Sequence, residues 1–224
     1  MQRKDFYNLN IGENNIQTGG FYLEKLYFIL HTVGSEKKVL DIGCNDGYVG
    51  EKLIARENVV YGIDISEKEL KIARKKGLKV KKVDIENQDL PYPQGFFDVV
   101  ILADVIEHVF DTDSLLKKSF RVLKKGGKLI VTTPNIASFG RRLMLLAGKS
   151  PFIEYSLKLS TNGLPSVGHI RYYTEATLRN QLKHNGFKNI EIEGDKVNFG
   201  LFRSRSMGRF LPSFSIMLMA SCTK

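Results

Sequence analysis

Apolar positions in this chain gather into short runs separated by polar, helically spaced stretches. Phe21 to Leu30 has the broad apolar face of a helix. Lys38-Val39-Leu40-Asp41-Ile42 is a compact run that stops at Gly43 and predicts a buried strand. Within 47–56, Val49, Leu53 and Ile54 share one helical face. Asn58 to Ile63 predicts a second strand, ending at Asp64. Ser66 to Glu69 has the form of a capping box, opening a helix that Gly77 closes. Lys79 to Val83, ending at Asp84, and Asp98 to Ala103 predict the third and fourth strands. Leu115, Leu116, Ser119 and Leu123 keep helical spacing, Gly126-Gly127 is the expected end of that helix, and Lys128 to Thr132 is the fifth strand.

Strands alternating with helices in this way predict an α/β fold, a doubly wound, mostly parallel sheet with helices on both faces. The strands are apolar runs rather than clean alternations, as expected when both faces are covered. After Pro134 the pattern loosens. Arg141 to Ala147 and Thr174 to Gly186 predict helices, and Phe187 to Glu193 and Phe214 to Cys222 predict two last strands. The irregular stretches 141–170 and 194–213 read as lid-like insertions. The expected organisation is a single domain over 1–224, with an N-terminal helical cap (1–37), a cofactor-binding half (38–135) and an acceptor-side half (136–224).

Composition narrows the class. Of 224 residues, 42% are apolar and 26% charged, which suits a packed globular core and excludes a disordered or collagen-like chain. No apolar run approaches the roughly 20 residues that span a bilayer, and the opening residues lack the apolar centre of a signal peptide. Cys44 and Cys222 cannot build a disulfide framework or a four-ligand zinc site. The expectation is a cytoplasmic protein without a membrane span. Of the net charge of +10, residues 141–224 carry +8 and residues 1–140 only +2, a bias toward anionic partners.

In open α/β sheets a ligand sits beyond the carboxyl ends of the strands, so the residues following each strand carry the chemistry. Gly43-Cys44-Asn45-Asp46-Gly47 follows the first strand; its glycines permit a tight turn close to a ligand. A dinucleotide fingerprint needs glycine at the first, third and sixth positions, where this chain has Gly43, Asn45 and Tyr48. The Gly-Lys-Ser/Thr ending of a phosphate-binding loop is also absent. A nucleoside without phosphates remains. Asp64 can accept hydrogen bonds from ribose hydroxyls and Asp84 from an adenine amino group.

These residues resemble the class I S-adenosylmethionine-dependent methyltransferases. Val39 to Gly47 is similar to the family's first motif, and Gly62-Ile63-Asp64-Ile65-Ser66, Val83 to Tyr92 and Phe97 to Ile101 follow its next motifs in order. Ala103-Asp104-Val105-Ile106-Glu107-His108-Val109 resembles a segment of the ubiquinone/menaquinone-type small-molecule methyltransferases, and Leu123 to Leu129 the turn before the family's fifth strand. Pro134-Asn135 with Phe139-Gly140-Arg141-Arg142-Leu143 is similar to methionine-biosynthesis-type members. Asn45 departs from the family's usual second glycine, a change that asparagine's tolerance of positive φ accommodates.

The resemblance implies a seven-stranded sheet with the last strand antiparallel, and S-adenosylmethionine as cofactor with S-adenosylhomocysteine as product. It implies contacts from Asp41, Gly43, Cys44, Asn45 and Gly47 around the methionine portion, and from Asp64 and Ile65 at the ribose. Asp84 and Ile85 fall at the adenine, and Ala103, Asp104 and Val105 complete the set. His108 is the first candidate for a base and His169, before Ile170-Arg171-Tyr172-Tyr173, the second, because an imidazole exchanges protons near neutral pH. Asp104, Glu107 and His108 alone are too few to predict a metal site.

No Pro-Cys or Asn/Asp-Pro-Pro-Tyr segment points to a nucleobase as acceptor. Arg141, Arg142, Lys149 and Lys158, and then Lys196, Arg203, Arg205 and Arg209 beside Phe199, Phe202 and Phe210, suit an anionic aromatic or lipid-like acceptor. The expected function is methyl transfer to a small molecule, with the subfamily resemblance favouring oxygen. The rivals are an RNA or protein methyltransferase using the basic last third, and a cofactor-binding module without turnover.

Overall fold

In a computed structural model of the chain, residues 20–152, 168–199 and 202–224 are described. The elements run α1 (Gly20–Val33), β1 (Lys38–Ile42), α2 (Tyr48–Ile54), β2 (Val59–Asp64), α3 (Glu67–Lys75), β3 (Lys79–Lys82), β4 (Phe97–Ala103), α4 (Thr112–Val122) and β5 (Leu123–Pro134). They continue with α5 (Phe139–Leu146), α6 (Glu175–His184), β6 (Lys188–Gly194), a small hairpin of β7 (Val197–Phe199) and β8 (Phe202–Ser204), α7 (Arg205–Phe210) and β9 (Met217–Thr223). Seven strands form one sheet in the order β3-β2-β1-β4-β5-β9-β6, with β9 antiparallel to both neighbours and the pairs among β1 to β5 parallel. The resemblance implied this architecture.

Strand alternation divides the core between two faces. Val39, Val60, Val99, Ile101 and Ile130 pack on one face with Leu26, Ile29 and Val33 of α1, Leu53 of α2 and Leu70 of α3. Leu40, Ile42, Val100, Leu102 and Val131 pack on the other with Leu115 and Leu116 of α4 and Leu178 and Leu182 of α6. Both faces of the central strands are therefore dry, which explains why apolar residues dominate their sequences, with Asp41, Thr132 and Thr133 buried among them. Polar side chains hold the helix starts: the Ser66 hydroxyl accepts from Glu69 N (3.4 Å), the Asp111 carboxylate from Ser114 N (2.9 Å), and Thr174 shares a capping box with Thr177.

Three expectations need correction. Helix α4 ends at Val122 rather than at Gly126-Gly127. Leu123 already pairs with Phe97 while Lys128 pairs with Val99, so the glycines turn inside an irregular strand opening. Gly126 has φ 74°, and a Cβ on Gly127 would lie 2.9 Å from the Lys124 carbonyl oxygen. The last strand begins at Met217 because Pro212–Phe214 forms a short 3-10 turn. The stretch 194–213 contains a hairpin and α7, elements too short to leave a periodic signal. Half of the other irregular stretch, residues 153–167 with Lys158, lies outside the described residues.

Candidate functional site

Strand β1 lies between β2 and β4, so the order of the parallel strands reverses there and a crevice opens at their carboxyl ends. The chain leaves β1 through the 43–47 turn. The N–H groups of Gly43 and Cys44 both donate to the Ile63 carbonyl, at 2.8 and 3.0 Å, tying this turn to the end of β2. Gly43 has φ 71°, and a Cβ built on it would sit 2.7 Å from Cγ2 of Val105. Gly47 has φ 78°, and its Cβ would strike Ala73 in α3 at 2.9 Å. Both glycines are thus required by conformation and by contact. Asn45 takes the left-handed region at φ 49°.

The Asp64 carboxylate organises the mouth of the crevice. Its Oδ2 accepts from Asn45 N at 3.0 Å and its Oδ1 from Ser66 N at 2.9 Å, so the first turn and the start of α3 hold one carboxylate in a single orientation. A cavity of about 600 Å³ adjoins it, lined among others by Gly43, Asn45, Asp64, Ile65, Asp84, Ile85, Asp104, Val105 and His108. That is the size range of small-molecule sites.

Asp104 sits just past β4 with φ 55°. Its Oδ1 accepts from the Thr132 hydroxyl at 2.8 Å, and its Oδ2 pairs with the Lys25 ammonium, carried on α1. Asp41 is buried next to this group. Burial and the nearby Asp64 charge push its carboxyl up to about 7, against a smaller downward pull from Lys25. At Asp84, Oδ1 accepts from Glu86 N (3.0 Å) and Oδ2 from Asn87 Nδ2 (2.9 Å), so this carboxylate stabilises its own turn and is held below its ordinary range, chiefly by Asn87.

At the other end of the cavity, His108 lies in the 3-10 turn Ile106–His108. Its Nδ1 is 3.2 Å from the Gly168 carbonyl, and its ring centroid is 4.8 Å from that of His169. Donor atoms of Glu107, His108 and His169 all fall within 4.8 Å of one another, a spacing usable by a proton relay or a divalent cation. Glu107 is buried; burial and Asp104 raise its carboxyl to about 8, so it is mainly protonated at neutral pH. Its Oε2 accepts from the Thr133 hydroxyl at 3.1 Å, and its backbone carbonyl accepts from Ile170 N (2.9 Å) and Arg171 N (3.0 Å).

Not every expected residue reaches the cavity. Cys44 turns inward, where its Sγ would be 2.6 Å from a Cβ on Gly62, and burial raises its thiol. The cavity lining likewise leaves out Asp41, Gly47, Ala103 and His169. Asp98, at the opposite end of β4, accepts from Lys38 N (2.9 Å) and pairs with Lys124 (2.6 Å), purely structural contacts. Sequence reasoning missed Lys25 and Thr132. The signal for Lys25 was a charged pair, Glu24-Lys25, inside an apolar helical face; both are buried. Thr132 left no signal, because only the β4–β5 pairing sets it beside Asp104.

Known proteins place the chain in a family. A family model described as a methyltransferase domain matches residues 16–192. A ubiquinone biosynthesis O-methyltransferase of Thiobacillus denitrificans is 32% identical over 72% of this chain and 69% of its own. Another, of Aromatoleum aromaticum, is 30% identical over 72% and 68%. An S-adenosylmethionine-dependent methyltransferase of Thermotoga maritima has the same fold, at TM-score 0.65 and 24% identity, covering 98% of this chain and 99% of that one. With a glycine turn and aspartates at the carboxyl edge of the sheet, and a matching model over most of its length, the chain belongs to the class I S-adenosylmethionine-dependent methyltransferases.

Proposed function

We propose that the chain methylates a small-molecule acceptor at a hydroxyl oxygen. The observation that carries this is the position of His108, which lines the same cavity as Gly43, Asp64 and Asp104. The names of the relatives, O-methyltransferases of ubiquinone biosynthesis, support oxygen as the target.

The donor set suits the cofactor. Asp64 has one N–H on each oxygen, so each keeps a lone pair for the ribose hydroxyls. Asp104 and the Gly43 carbonyl are acceptors for the ammonium, and Lys25 is a cation for the carboxylate of the methionine part. Ile65 and Ile85 are apolar walls for the adenine, with Asp84 at its rim. Asp41 acts at one remove, through its charge on Lys25 and Asp64.

S-adenosylmethionine supplies an electrophilic methyl with its leaving group already activated. The chain therefore contributes position, water exclusion and removal of one proton. If Nδ1–H of His108 donates to the Gly168 carbonyl, Nε2 keeps a free lone pair and takes the proton of the acceptor hydroxyl. The His169 ring lies beside that of His108, tilted by 47°, and limits its orientation. Protonated Glu107 adds no negative charge beside the imidazole, which would otherwise tighten its hold on a proton.

The test is transfer of a labelled methyl group from S-adenosylmethionine to a panel of phenols, catechols and carboxylates. Product with a hydroxyl acceptor, lost on His108→Ala while cofactor binding persists, is the expected result. Labelling confined to RNA, to protein or to nitrogen would overturn the reading.

A further inference from the structure

Seven of the eleven exposed large apolar side chains among the described residues fall in two segments, 143–152 and 207–211. In α5, Leu145 is 63% and Leu146 84% exposed, and no residue of the helix is buried. Phe210 is 81% exposed at the end of α7. The two segments adjoin. Arg142 of α5 donates to the Ser213 carbonyl at 2.9 Å, and its guanidinium lies 4.2 Å from the Phe214 ring centre. Residues 213 and 214 follow exposed Phe210 and Leu211 with only Pro212 between.

A folded domain rarely leaves so much apolar surface in one place without a partner. The charge of the patch indicates which partner. Residues 139–152 contain Arg141, Arg142 and Lys149 and no acidic residue; residues 202–216 add Arg203 and Arg205 in sequence and no acidic residue, while Arg209 is already paired with Glu193 of β6 at 2.9 Å. A short helix with leucines exposed and cations alongside is the chemistry of an interfacial helix on an anionic bilayer. A symmetric second copy would bring two like-charged patches face to face. RNA would engage the cations but has no use for the four exposed leucines, Leu143, Leu145, Leu146 and Leu211.

We infer that α5 and the α7–Phe214 segment form a docking surface for an anionic phospholipid bilayer, with Leu145, Leu146 and Phe210 entering the headgroup boundary. No helix among the described residues is long and apolar enough to cross a membrane, so this is surface attachment. The patch grows from the carboxyl end of β5, the edge of the sheet at which the cavity opens. Attachment there presents the cavity to material dissolved in the lipid. The binding itself is independent of methyl transfer.

Vesicle co-sedimentation tests it, using the full chain without cofactor. Phosphatidylcholine vesicles are compared with vesicles containing about a third phosphatidylglycerol, a level that makes the surface clearly anionic. The expected result is partition into the anionic vesicles only, weakened by added salt. Leu145→Glu/Leu146→Glu should lower that partition about tenfold or more without moving the melting temperature, since both side chains are already solvated. Equal partition into the two vesicle types would overturn the inference. So would unchanged binding by the double variant, a dimer that the double variant dissociates while vesicle binding is absent, or binding to an RNA oligonucleotide with none to vesicles.

Discussion

The ammonium of Lys25, on the first helix, pairs with the carboxylate of Asp104, at the end of β4 and 79 positions further along the chain. This bond carries a cation from the N-terminal helix to the cofactor edge of the sheet. It also offsets the burial of Asp41, whose carboxyl it pulls down. Replacing Lys25 by Met removes the cation and keeps the stem. Cofactor affinity should fall about tenfold or more, the scale of one charged hydrogen bond. An unchanged dissociation constant by calorimetry would show that Lys25 only stabilises the fold.

Asp64 tests the ribose contact. Asp64→Ala should weaken cofactor binding by about 1.5–3 kcal/mol, as expected for loss of hydrogen bonds to a charged acceptor. Asp64→Asn keeps one acceptor oxygen and should fall between wild type and alanine. Equal affinity across all three proteins would assign the ribose elsewhere.

For His108 the expected signature is a split between turnover and binding. His108→Ala should lower kcat by about 10²–10⁴, the range for general-base removal, and leave the cofactor dissociation constant nearly unchanged. Parallel losses in both would identify a packing role.

Two buried acids set the pH dependence of stability. Burial raises Asp41 to about 7 and Glu107 to about 8 in the folded chain. The unfolded chain releases both protons near pH 4. Between those limits the folded state holds more protons, so stability should decline as pH rises from about 4 to 8. Glu107→Gln cannot ionise. At pH 8 it should be more stable than wild type, on the order of 1–3 kcal/mol, and near pH 4, where the unfolded chain also keeps most of its proton, the two should nearly match. Chemical denaturation at the two pH values checks this; a constant difference at both would mean that Glu107 titrates normally.

Gly43 and Val105 are coupled by contact. Gly43→Ala forces a side chain into positive φ and into the Val105 methyl group, and should destabilise by about 1 kcal/mol or more. Val105→Ala in the same chain removes the clash but not the backbone strain, so it should restore part of the loss. No restoration would place the whole cost in the backbone. The melting temperatures of the three variants decide this.

Local chemistry wrote much of this protein into its sequence. Uniform apolar runs such as Val99–Ala103 read as strands covered on both faces, because a solvated face would need polar alternation. Glycines at 43 and 47 and an acid after each early strand marked the cofactor edge before any contact was known. What depended on neighbours was illegible. Whether Asp41 and Cys44 reach a ligand or turn into the core depends on the surrounding packing, and the strand direction alone leaves it open. Lys25 meets Asp104 only because α1 packs across the sheet, and Thr132 meets it only through the register of β4 and β5. The exposure of Leu145 and Leu146 was equally hidden, since an apolar helix face reads the same whether a core covers it or not. Sequence encodes periodicity and conformational permission residue by residue; burial, charge pairing and the pKa values that follow from them arise only when distant segments meet.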